Sequence, residues 1–371
     1  MWIKCGYLAA EGGEVRGVAP ADGAEPDHSY FHGGPYDRVP PYRMARRIGV
    51  VSVGRSDRGH LAPLLALLPE ATVYQHRGDG VVVTPGDVVW VMGDAVADFG
   101  HDLETNCPDL LVIFGDRWEQ FAAATAAHIL GIPMAHLHAG ETTEAVYDDG
   151  FRNAISALAT WHIAAAEPYA DKLRQQGYRQ VHCLGAPGLS RLPHPSPYWR
   201  ERKRILVQFH PETKHVADVP RQVAQLALAL HGLEADGVGV GYAVDIIATS
   251  PGMDAGRAAI LVALMPWIKT FTDEQWLYQM AHADVLVGNS SCGIIETPSI
   301  PLPSVNIGDR QKGRLMASSV INVPHDRYAI EVAINSALLP SWRSLSLTGE
   351  NPYGDRHAAQ RIAEFLKTCE P

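Results

Sequence analysis

The sequence lacks any cysteine pattern that would indicate a disulfide framework or a metal site. It contains 5 cysteines, an odd number, and no two of them form a CxxC pair. Small secreted domains held by disulfides and zinc-binding modules both need cysteines at short, regular spacings. The pattern therefore predicts reduced thiols and a cytoplasmic protein.

Long hydrophobic runs and an excess of positive charge are also missing. No apolar run reaches the roughly 18 residues of a membrane-spanning helix. Residues 1–17 lack an apolar core flanked by basic residues, so no signal peptide is expected. The formal net charge is −10, which argues against a general nucleic-acid binder but permits a local basic pocket. Neither a membrane nor a nucleic acid is predicted as a partner.

The two common glycine-rich nucleotide motifs are absent as well. The chain contains no GxxxxGK[ST] and no GxGxxG after a first strand. These motifs place backbone N–H groups around phosphates in P-loop proteins and in dinucleotide-binding domains. Any phosphate site in this chain must therefore be built in another way.

From residue 47 onward, short apolar runs alternate with helical segments. RIGVVSV, VVWVM, DLLVIFG and IPMAHLH predict strands in the first half, and a polar turn, GRSDRG, separates the first strand from the helix LAPLLALL. RILVQFH, DIIATS, DVLVGNS and PSVNIG predict strands in the second half. This alternation is typical of parallel sheets covered by helices on both faces. The predicted fold class is α/β, with two doubly wound Rossmann-like domains and a cleft between them.

Composition suggests where the domains begin and end. Residues 1–46 are rich in Gly, Pro, Asp and Tyr and are predicted to form an irregular extension. Residues 47–195 form the first predicted domain, and the proline-rich stretch LSRLPHPSPYWRERK is the predicted linker. Residues 196–350 form the second domain. Residues 351–371 are predicted to carry a helix that packs back on the first domain.

Polar clusters follow six of the predicted strands. GRSDRG, GDRWE and HAGE do so in the first half, and HPETKH, GNSSCG and GDRQKGR do so in the second. Ligands of open parallel sheets bind beyond the carboxyl ends of the strands. Clusters from both halves therefore predict one cleft lined by polar groups.

In the second half, a serine-rich turn and a basic turn predict an anion site. Ser290, Ser291 and Gly293 come just before a predicted helix, where N–H groups and hydroxyls can bind a phosphate. A simple N-cap by either serine is the alternative. Arg310 and Arg314 follow the next strand. A solvated turn would explain these cations alone, whereas the two turns together favour a diphosphate site.

The first half carries carboxylates and histidines suited to proton transfer. Asp148 and Asp149 are adjacent, and their repulsion raises one pKa, although one of them can simply complement a helix dipole. His210, at a strand end of the second half, is expected to face these groups and to act as an acid or a base. The full set is Asp116, Arg117, Glu119, His138, Glu141, Asp148, Asp149, Arg152 and His210.

A metal site at His136 and His138 is the less favoured interpretation. Residues two apart share a face only where a strand extends through both of them. The sequence also fixes no third ligand. No metal and no cofactor are therefore predicted.

Taken together and in order, GDRWE, HLHAGETTE, DDGFRNAI, HPET, GNSSCGIIE, NIGDRQKGR and NPYGD resemble the motifs of the hydrolysing UDP-N-acetylglucosamine 2-epimerases of bacterial sialic-acid pathways. The resemblance covers residues 47–367. It implies a GT-B fold with the nucleotide sugar between two Rossmann-like domains, and neither NAD nor a catalytic metal. It also implies anti elimination of the nucleoside diphosphate with loss of the proton on sugar C2. Water then adds to the glycal, and the free 2-epimerised sugar leaves.

The same resemblance assigns roles to the candidate residues. It places Ser290 and Ser291 on the diphosphate and Glu296 on the ribose, and it places His138 where related enzymes carry a second active-site acid or a histidine. The catalytic set is Asp116, Glu141, Asp149, His210 and His138. The substrate-binding set is Arg55, Asp57, Glu119, Asp148, Arg152, Asp254, Ser290, Ser291, Gly293, Glu296, Arg310 and Arg314.

The chain departs from the family pattern at several positions. Arg58 replaces an aromatic residue, Asn153 a histidine, Ala157 a lysine and Gly252 an asparagine. The block before GDRWE is short and is predicted to lack the second-strand segment that ends near the sugar. These changes favour the same scaffold acting on a different substrate, as in a specialised natural-product pathway.

Two other interpretations share the predicted fold. A GT-B glycosyltransferase would need an acceptor groove and would leave the acid cluster unexplained. A non-catalytic nucleotide-sugar-binding protein is favoured only by Asn153, which cannot titrate. The favoured prediction is an enzyme, an isomerase or hydrolase acting on a nucleotide sugar, that works as a homodimer or homotetramer.

Overall fold

The computed structural model describes residues 46–76, 85–193, 201–237, 242–252, 254–300 and 302–370. All of the predicted N-terminal extension except Arg46 lies outside the described residues, and so does part of the predicted linker. Within these ranges, no helix combines the length and the apolar character needed to cross a membrane.

Two six-stranded parallel sheets form the scaffold. The first contains β1 (Ile48–Val51), β2 (Thr72–Tyr74), β3 (Leu110–Phe114), β4 (Met134–Leu137), β5 (Trp161–Ala164) and β6 (Val181–Cys183). The second contains β7 (Lys203–Gln208), β8 (Val244–Thr249), β9 (Ile268–Lys269), β10 (Val285–Gly288), β11 (Ser304–Ile307) and β12 (Val320–Val323). The orders are β2-β1-β3-β4-β5-β6 and β12-β11-β10-β7-β8-β9. The predicted α/β class with two parallel sheets is confirmed.

Helices follow most of the strands. Those of the first half are α1 (Arg55–Leu67), α2 (Pro85–Asn106), α3 (Trp118–Ile129), α4 (Asp148–Leu158) and α5 (Glu167–Gln175). Those of the second half are α6 (Val219–Asp236), α7 (Arg257–Leu264), α8 (Asp273–Ala281), α9 (Cys292–Ile295), α10 (Arg327–Ala337) and α11 (Pro340–Thr348), and α12 (Ala358–Thr368) is the last helix.

The first sheet is buried on both faces, as its uninterrupted apolar strands require. In β3, Leu111 and Ile113 pack with residues of α2 and α3 on one face. Leu110 and Val112 pack on the other face, against α1 and α12. Successive strand residues point to opposite faces, so a run such as LLVIF is stable only between two helix layers. Ile362 of α12 belongs to this second core, so the last helix lies against the first sheet.

One predicted strand is wrong. The run VVWVM, residues 88–92, lies inside α2. Further along this helix Ala95, Phe99 and Leu103 are buried at a spacing of one helical turn, while Trp90 is 81% exposed. Five apolar residues cannot by themselves distinguish a strand from a helix, and here the longer helical period decides the structure.

Two details of the first half also differ from prediction. The stretch GRSDRG is not a turn, because α1 begins at Arg55 and Gly54 occupies the N-cap. The block before GDRWE does contain a second strand, since Val73 of β2 pairs with Val50 of β1. This strand has only three residues and lies at the sheet edge, with two of its residues exposed, so its apolar pattern is weak.

The segment after β11 hydrogen-bonds to α5, to the segment after α11 and to the loop after β4. The Tyr169 hydroxyl accepts the N–H of Leu315 at 2.7 Å, and the Tyr353 hydroxyl donates to the carbonyl of Leu315 at 3.0 Å. The N–H of Glu144 donates to the carbonyl of Lys312 at 3.1 Å. These bonds hold the strand ends of both sheets around a shared space.

Candidate active site

A cavity of about 680 Å³ lies between the strand ends of the two sheets. This volume is within the range of roughly 300–1,000 Å³ that is usual for small-molecule sites. Both halves contribute to its wall. The sequence-predicted residues that line it are Arg117, Glu119, His210, Asp254, Ser290, Ser291, Glu296 and Arg310. The predicted cleft between two sheets is therefore present.

His210 is held in the cavity wall through its own backbone. Its N–H donates to the Asn289 side-chain oxygen at 2.7 Å, and its carbonyl accepts from the Asn289 amide nitrogen at 2.9 Å. Gly288 makes this possible, because a Cβ at that position would lie 2.0 Å from the Gln208 carbonyl oxygen. The N–H of Gly252 is 3.4 Å from Nδ1 of His210. This contact favours a neutral ring with its proton on Nε2, which suits proton transfer.

The serine-rich turn lies in the wall beside His210. Ser291 is the N-cap of α9 but makes no side-chain capping bond. Ser290 Oγ accepts the N–H of Cys292 at 3.4 Å. Arg310 lines the same region and donates to the Asn289 carbonyl at 3.2 Å. Hydroxyls and a guanidinium thus share one part of the cavity, as a phosphate site requires.

A chain of charges links the two halves across the cavity. Arg117 bonds to Glu119 at 2.8 Å and lies 3.7 Å from Asp254 of the second half. Burial acts to raise the pKa of Asp254, but the charges of Arg117 and Arg310 outweigh it and hold the pKa below its ordinary value. Asp254 is therefore ionised at neutral pH and orders both arginines.

Glu141 is fully buried and is surrounded by two arginines and a histidine. Its carboxylate accepts two bonds from Arg314 at 2.9 and 2.8 Å and lies 2.5 Å from Nδ1 of His138. Arg152 is 3.9 Å away. Burial acts to raise the pKa of Glu141, but Arg314, His138 and Arg152 hold it well below its ordinary value. The structure thus places Arg314 against this acid and not in the cavity wall beside Arg310.

Asp116 and Asp148 form a second acidic group next to the first. Asp116 bonds to the buried Arg152. Burial, and then the charge of Asp116, raise the pKa of Asp148 to about 7, although Arg117 opposes the shift. The sequence predicted that Asp149 would raise this pKa, but Asp116 is the carboxylate responsible. Asp148 can therefore hold or release a proton near neutral pH.

Asp149 has a different environment from its neighbour. Its Oδ1 accepts the N–H of Thr143 at 2.9 Å. This bond ties the start of α4 to the loop that carries Glu141. Gly293 also lies away from the cavity wall, since a Cβ there would be 2.6 Å from the Ser304 hydroxyl. Both residues position their neighbours in this structure.

The two histidines of HLH point to separate partners. The ring of His136 bonds to the Gly115 carbonyl at 2.7 Å and to the Ser156 hydroxyl at 3.0 Å, and burial lowers its pKa to about 3. The strand ends at Leu137, and His138 adopts a left-handed backbone with φ of 60°. Among the described residues, no group of three or more His, Cys, Asp or Glu side chains is arranged to hold a metal.

Two predicted substrate-binding residues, Arg55 and Asp57, lie in the first turn of α1. Asp57 is buried and accepts the Gln120 amide at 3.1 Å, and burial raises its pKa. Arg55 begins α1, but its side chain lies outside the described residues.

Three of the departures from the family pattern lie on the surface. Arg58, Asn153 and Ala157 are exposed, whereas Gly252 lines the cavity. Exposed side chains do not select a substrate held in a buried cavity. Only Gly252 therefore still supports the predicted change of substrate.

Several cavity residues were not predicted from the sequence. His60 directly follows GRSDRG, and Trp118 belongs to GDRWE, so both lay within reach of the motif analysis. Tyr147 directly precedes DDGFRNAI, Val91 lies in the predicted strand VVWVM and Arg191 lies in the predicted linker, while no motif marks the other three. The set is His60, His76, Val91, Trp118, Tyr147, Arg191, Phe271 and Trp276.

Comparison with known proteins gives consistent results. The family model described as UDP-N-acetylglucosamine 2-epimerase matches residues 83–367. The chain is 30% identical over 296 residues to polysialic acid biosynthesis protein P7 of Escherichia coli, covering 74% of each chain. It is 31% identical over 301 residues to UDP-N,N'-diacetylbacillosamine 2-epimerase (hydrolyzing) of Legionella pneumophila, covering 75% of each.

Solved structures share the fold. The UDP-GlcNAc 2-epimerase from Neisseria meningitidis bound to UDP-GlcNAc superposes with a TM-score of 0.71 at 17% identity, covering 86% of this chain and 99% of the other. The enzyme from Methanocaldococcus jannaschii in complex with UDP-GlcNAc and UDP gives a TM-score of 0.68 at 15% identity, with coverage of 86% and 99%. At these identities the likeness concerns the fold alone.

Proposed function

Since the chain belongs to the UDP-N-acetylglucosamine 2-epimerase family and is a nucleotide-sugar 2-epimerase, we propose that it hydrolyses its substrate. In this proposal it cleaves the nucleoside diphosphate from a UDP-N-acetylglucosamine-like sugar and releases the free 2-epimerised sugar. The proposal rests on the distribution of polar and charged side chains around the cavity. Ser290, Ser291 and Arg310 line it together with His210, Glu119 and Asp254. Asp148 is close enough for the charges of Asp254 and Arg310 to act on its pKa.

The proposed reaction has two steps, and every bond, proton and electron pair is accounted for in each. A base takes the proton from sugar C2, a C1–C2 double bond forms, and the C1–O bond breaks with its electron pair going to the diphosphate. Water then adds its oxygen to C1 of the glycal while a proton returns to C2 from the opposite face. The products are the free epimer and the nucleoside diphosphate, and no electron acceptor is needed.

The charges of the site fit these steps. Ser290, Ser291 and Arg310 stabilise the negative charge that develops on the departing diphosphate. Glu141 stays ionised between Arg314 and His138 and, in this proposal, orients the sugar. The pKa of Asp148 is raised to about 7, and His210 lines the cavity, so the two side chains can donate one proton and accept another in one turnover.

The proposal is tested by incubating the purified protein with a panel of nucleotide sugars in heavy water. The panel contains UDP-N-acetylglucosamine and UDP-N,N'-diacetylbacillosamine, and the products are analysed by mass spectrometry and NMR. We expect nucleoside diphosphate and a free sugar that is inverted at C2 and carries one deuterium there. The deuterium arises because C2 is reprotonated from solvent.

The alternatives predict other products. A glycosyltransferase would leave C2 unlabelled and would form a glycoside only when an acceptor is added. A binding protein would return the substrate unchanged. Either result, with the whole panel tested, would exclude the proposed reaction.

A second test uses the titration of Asp148. Its pKa is raised from 3.8 to about 7, so we expect an apparent pKa near 7 in the pH profile of kcat/KM, which reports essential groups of the free enzyme. In Asp148→Asn this limb should disappear. An unchanged limb would mean that another group causes it.

The stability of the same variant gives an independent readout. Below pH 3.8 the Asp148 carboxyl is protonated in both folded and unfolded chains, so it opposes folding only at higher pH. As the pH rises to about 7, the unfolded chain loses this proton first and wild type loses stability. Compared with Asp148→Asn, wild type should therefore lose stability between these two pH values. Urea unfolding midpoints at both pH values measure the difference.

Three further properties belong to this proposal. The first domain comprises residues 47–195, the second comprises residues 196–350, and residues 351–371 return to the first. The enzyme works in the cytoplasm as a homodimer or homotetramer.

A further inference from the structure

Arg191 lies in the cavity wall although no motif marks it. It ends a short 3-10 helix, Pro187–Arg191, that follows β6 of the first sheet. Its guanidinium reaches the second half and donates to Glu296 at 3.1 Å. The side chains of Arg191 and Glu296 are only 15% and 2% exposed, and both residues line the cavity. The buried ion pair of Arg191 and Glu296 therefore forms part of the cavity wall beside the serine-rich turn.

Helix α1 leaves room for this guanidinium. A Cβ at Gly59 would lie 2.4 Å from Nη1 and 2.9 Å from both Cζ and Nη2 of Arg191. Glycine inside a helix is less favourable than alanine. The three nearest atoms all belong to Arg191, so the missing side chain at Gly59 serves this contact. The position of the arginine is thus built from two elements of the first half.

Arg191 also retains unused hydrogen-bonding capacity. A guanidinium has five N–H donors, and Glu296 is its one hydrogen-bond partner among the described residues. Its Nε is buried and has no partner there. Glu296 likewise uses one oxygen in this pair. An anionic ligand could therefore bind the guanidinium while a hydroxyl donates to the second carboxylate oxygen.

We propose that Arg191 is a substrate-binding residue that recognises a phosphate of the nucleoside diphosphate, with Glu296 as its partner toward the ribose. The inference rests on the proposed function, since it assumes a nucleotide in the cavity. Arginine binds phosphate through paired N–H donors, and a buried position with little competing water strengthens such bonds. Ser290 and Ser291 line the same cavity, so one diphosphate can contact the hydroxyls and Arg191.

The test compares the binding of UDP with that of uridine, which shares the base and ribose but lacks phosphate. Dissociation constants are measured by calorimetry for wild type, Arg191→Met and Arg191→Lys. We expect Arg191→Met to weaken UDP by about tenfold or more while uridine changes much less, because only UDP loses a charge-assisted bond. Arg191→Lys keeps the charge but not the paired donors, and its UDP affinity should fall between the other two.

Two further variants distinguish direct binding of phosphate by Arg191 from an indirect effect through Glu296. Glu296→Gln should weaken UDP and uridine by the same factor, because the ribose is present in both. Gly59→Ala retains Arg191 but displaces its guanidinium, so it should weaken UDP by a larger factor than uridine.

Either of two results would overturn the inference. One is an equal loss for UDP and uridine in Arg191→Met, which would mean that Arg191 acts only through Glu296. The other is an unchanged UDP affinity in both Arg191→Met and Gly59→Ala. Should Arg191→Met fail to fold, Arg191→Lys and Gly59→Ala carry the same comparison. Wild-type turnover in the heavy-water panel is a separate result, so failure of the proposed function is seen independently.

Discussion

Replacing His210 by asparagine is expected to lower kcat by a factor of about 10²–10⁴, the usual contribution of a positioned general acid or base. KM should change little. The backbone of His210 is held by two bonds to Asn289, so the turn keeps its shape when the ring is removed. What is lost is the one imidazole whose Nδ1 faces Gly252 in the cavity wall. Steady-state kinetics with the substrate found in the heavy-water panel measures the effect.

A matched histidine gives the control. His128 lies in the last turn of α3 and is exposed, so His128→Asn should leave both kcat and KM unchanged. A loss in His210→Asn that appears only in KM would contradict the assignment, since it would show uniform binding and not a proton-transfer role. Deuterium exchange at C2 in recovered substrate indicates whether proton abstraction is the step affected.

The sheets could be predicted from the sequence because each strand is buried on two faces. A run such as LLVIF in β3 or VLVG in β10 has no solvated face, so its side chains are apolar at every position. The same reasoning failed for α2, whose start is also apolar and β-branched. There the decisive residues, Ala95, Phe99 and Leu103, lie beyond the run itself. A run of five apolar residues is therefore too short to distinguish the two structures.

The candidate site was predictable only in outline. Chain order shows which strand a polar residue follows, so the meeting of His210, Ser290 and Arg310 in one cavity agrees with prediction. Chain order does not show which partner a side chain bonds. Arg314, expected beside the diphosphate, instead bonds Glu141 of the other half. The sequence does not predict a role for Arg191, because its partner, Glu296, is distant in sequence and adjacent only in the folded protein.

The contact between Glu141 and Arg314 leads to the second large expected effect. Glu141→Gln should destabilise the folded protein by about 3–5 kcal/mol, because it leaves a buried guanidinium without its counter-charge. Arg314 is 9% exposed and Glu141 is fully buried, so water cannot replace the lost partner. The two residues belong to different halves of the chain, so the change also weakens the contact that aligns the two sheets. Thermal and urea unfolding midpoints measure the loss.

Two comparisons identify the cause. Glu144 and Lys312 join the same two loops at 3.0 Å, but their side chains are 51% and 59% exposed, so Glu144→Gln should change stability little. The double variant Glu141→Gln, Arg314→Met removes both buried charges and should recover much of the stability that Glu141→Gln alone loses. It should not recover activity, because the acid proposed to orient the sugar is gone.

The pH dependence of this pair has a definite sign. The pKa of Glu141 lies below its ordinary value of 4.5 in the folded protein. The stability it contributes is therefore fully present above pH 4.5 and is lost as the pH falls toward the folded-state pKa, since the unfolded chain takes up the proton first. The advantage of wild type over Glu141→Gln should accordingly shrink below pH 4.5. A constant difference at all pH values would mean that Glu141 is not held as a carboxylate by Arg314, and the charge separation proposed for the cavity would fail with it.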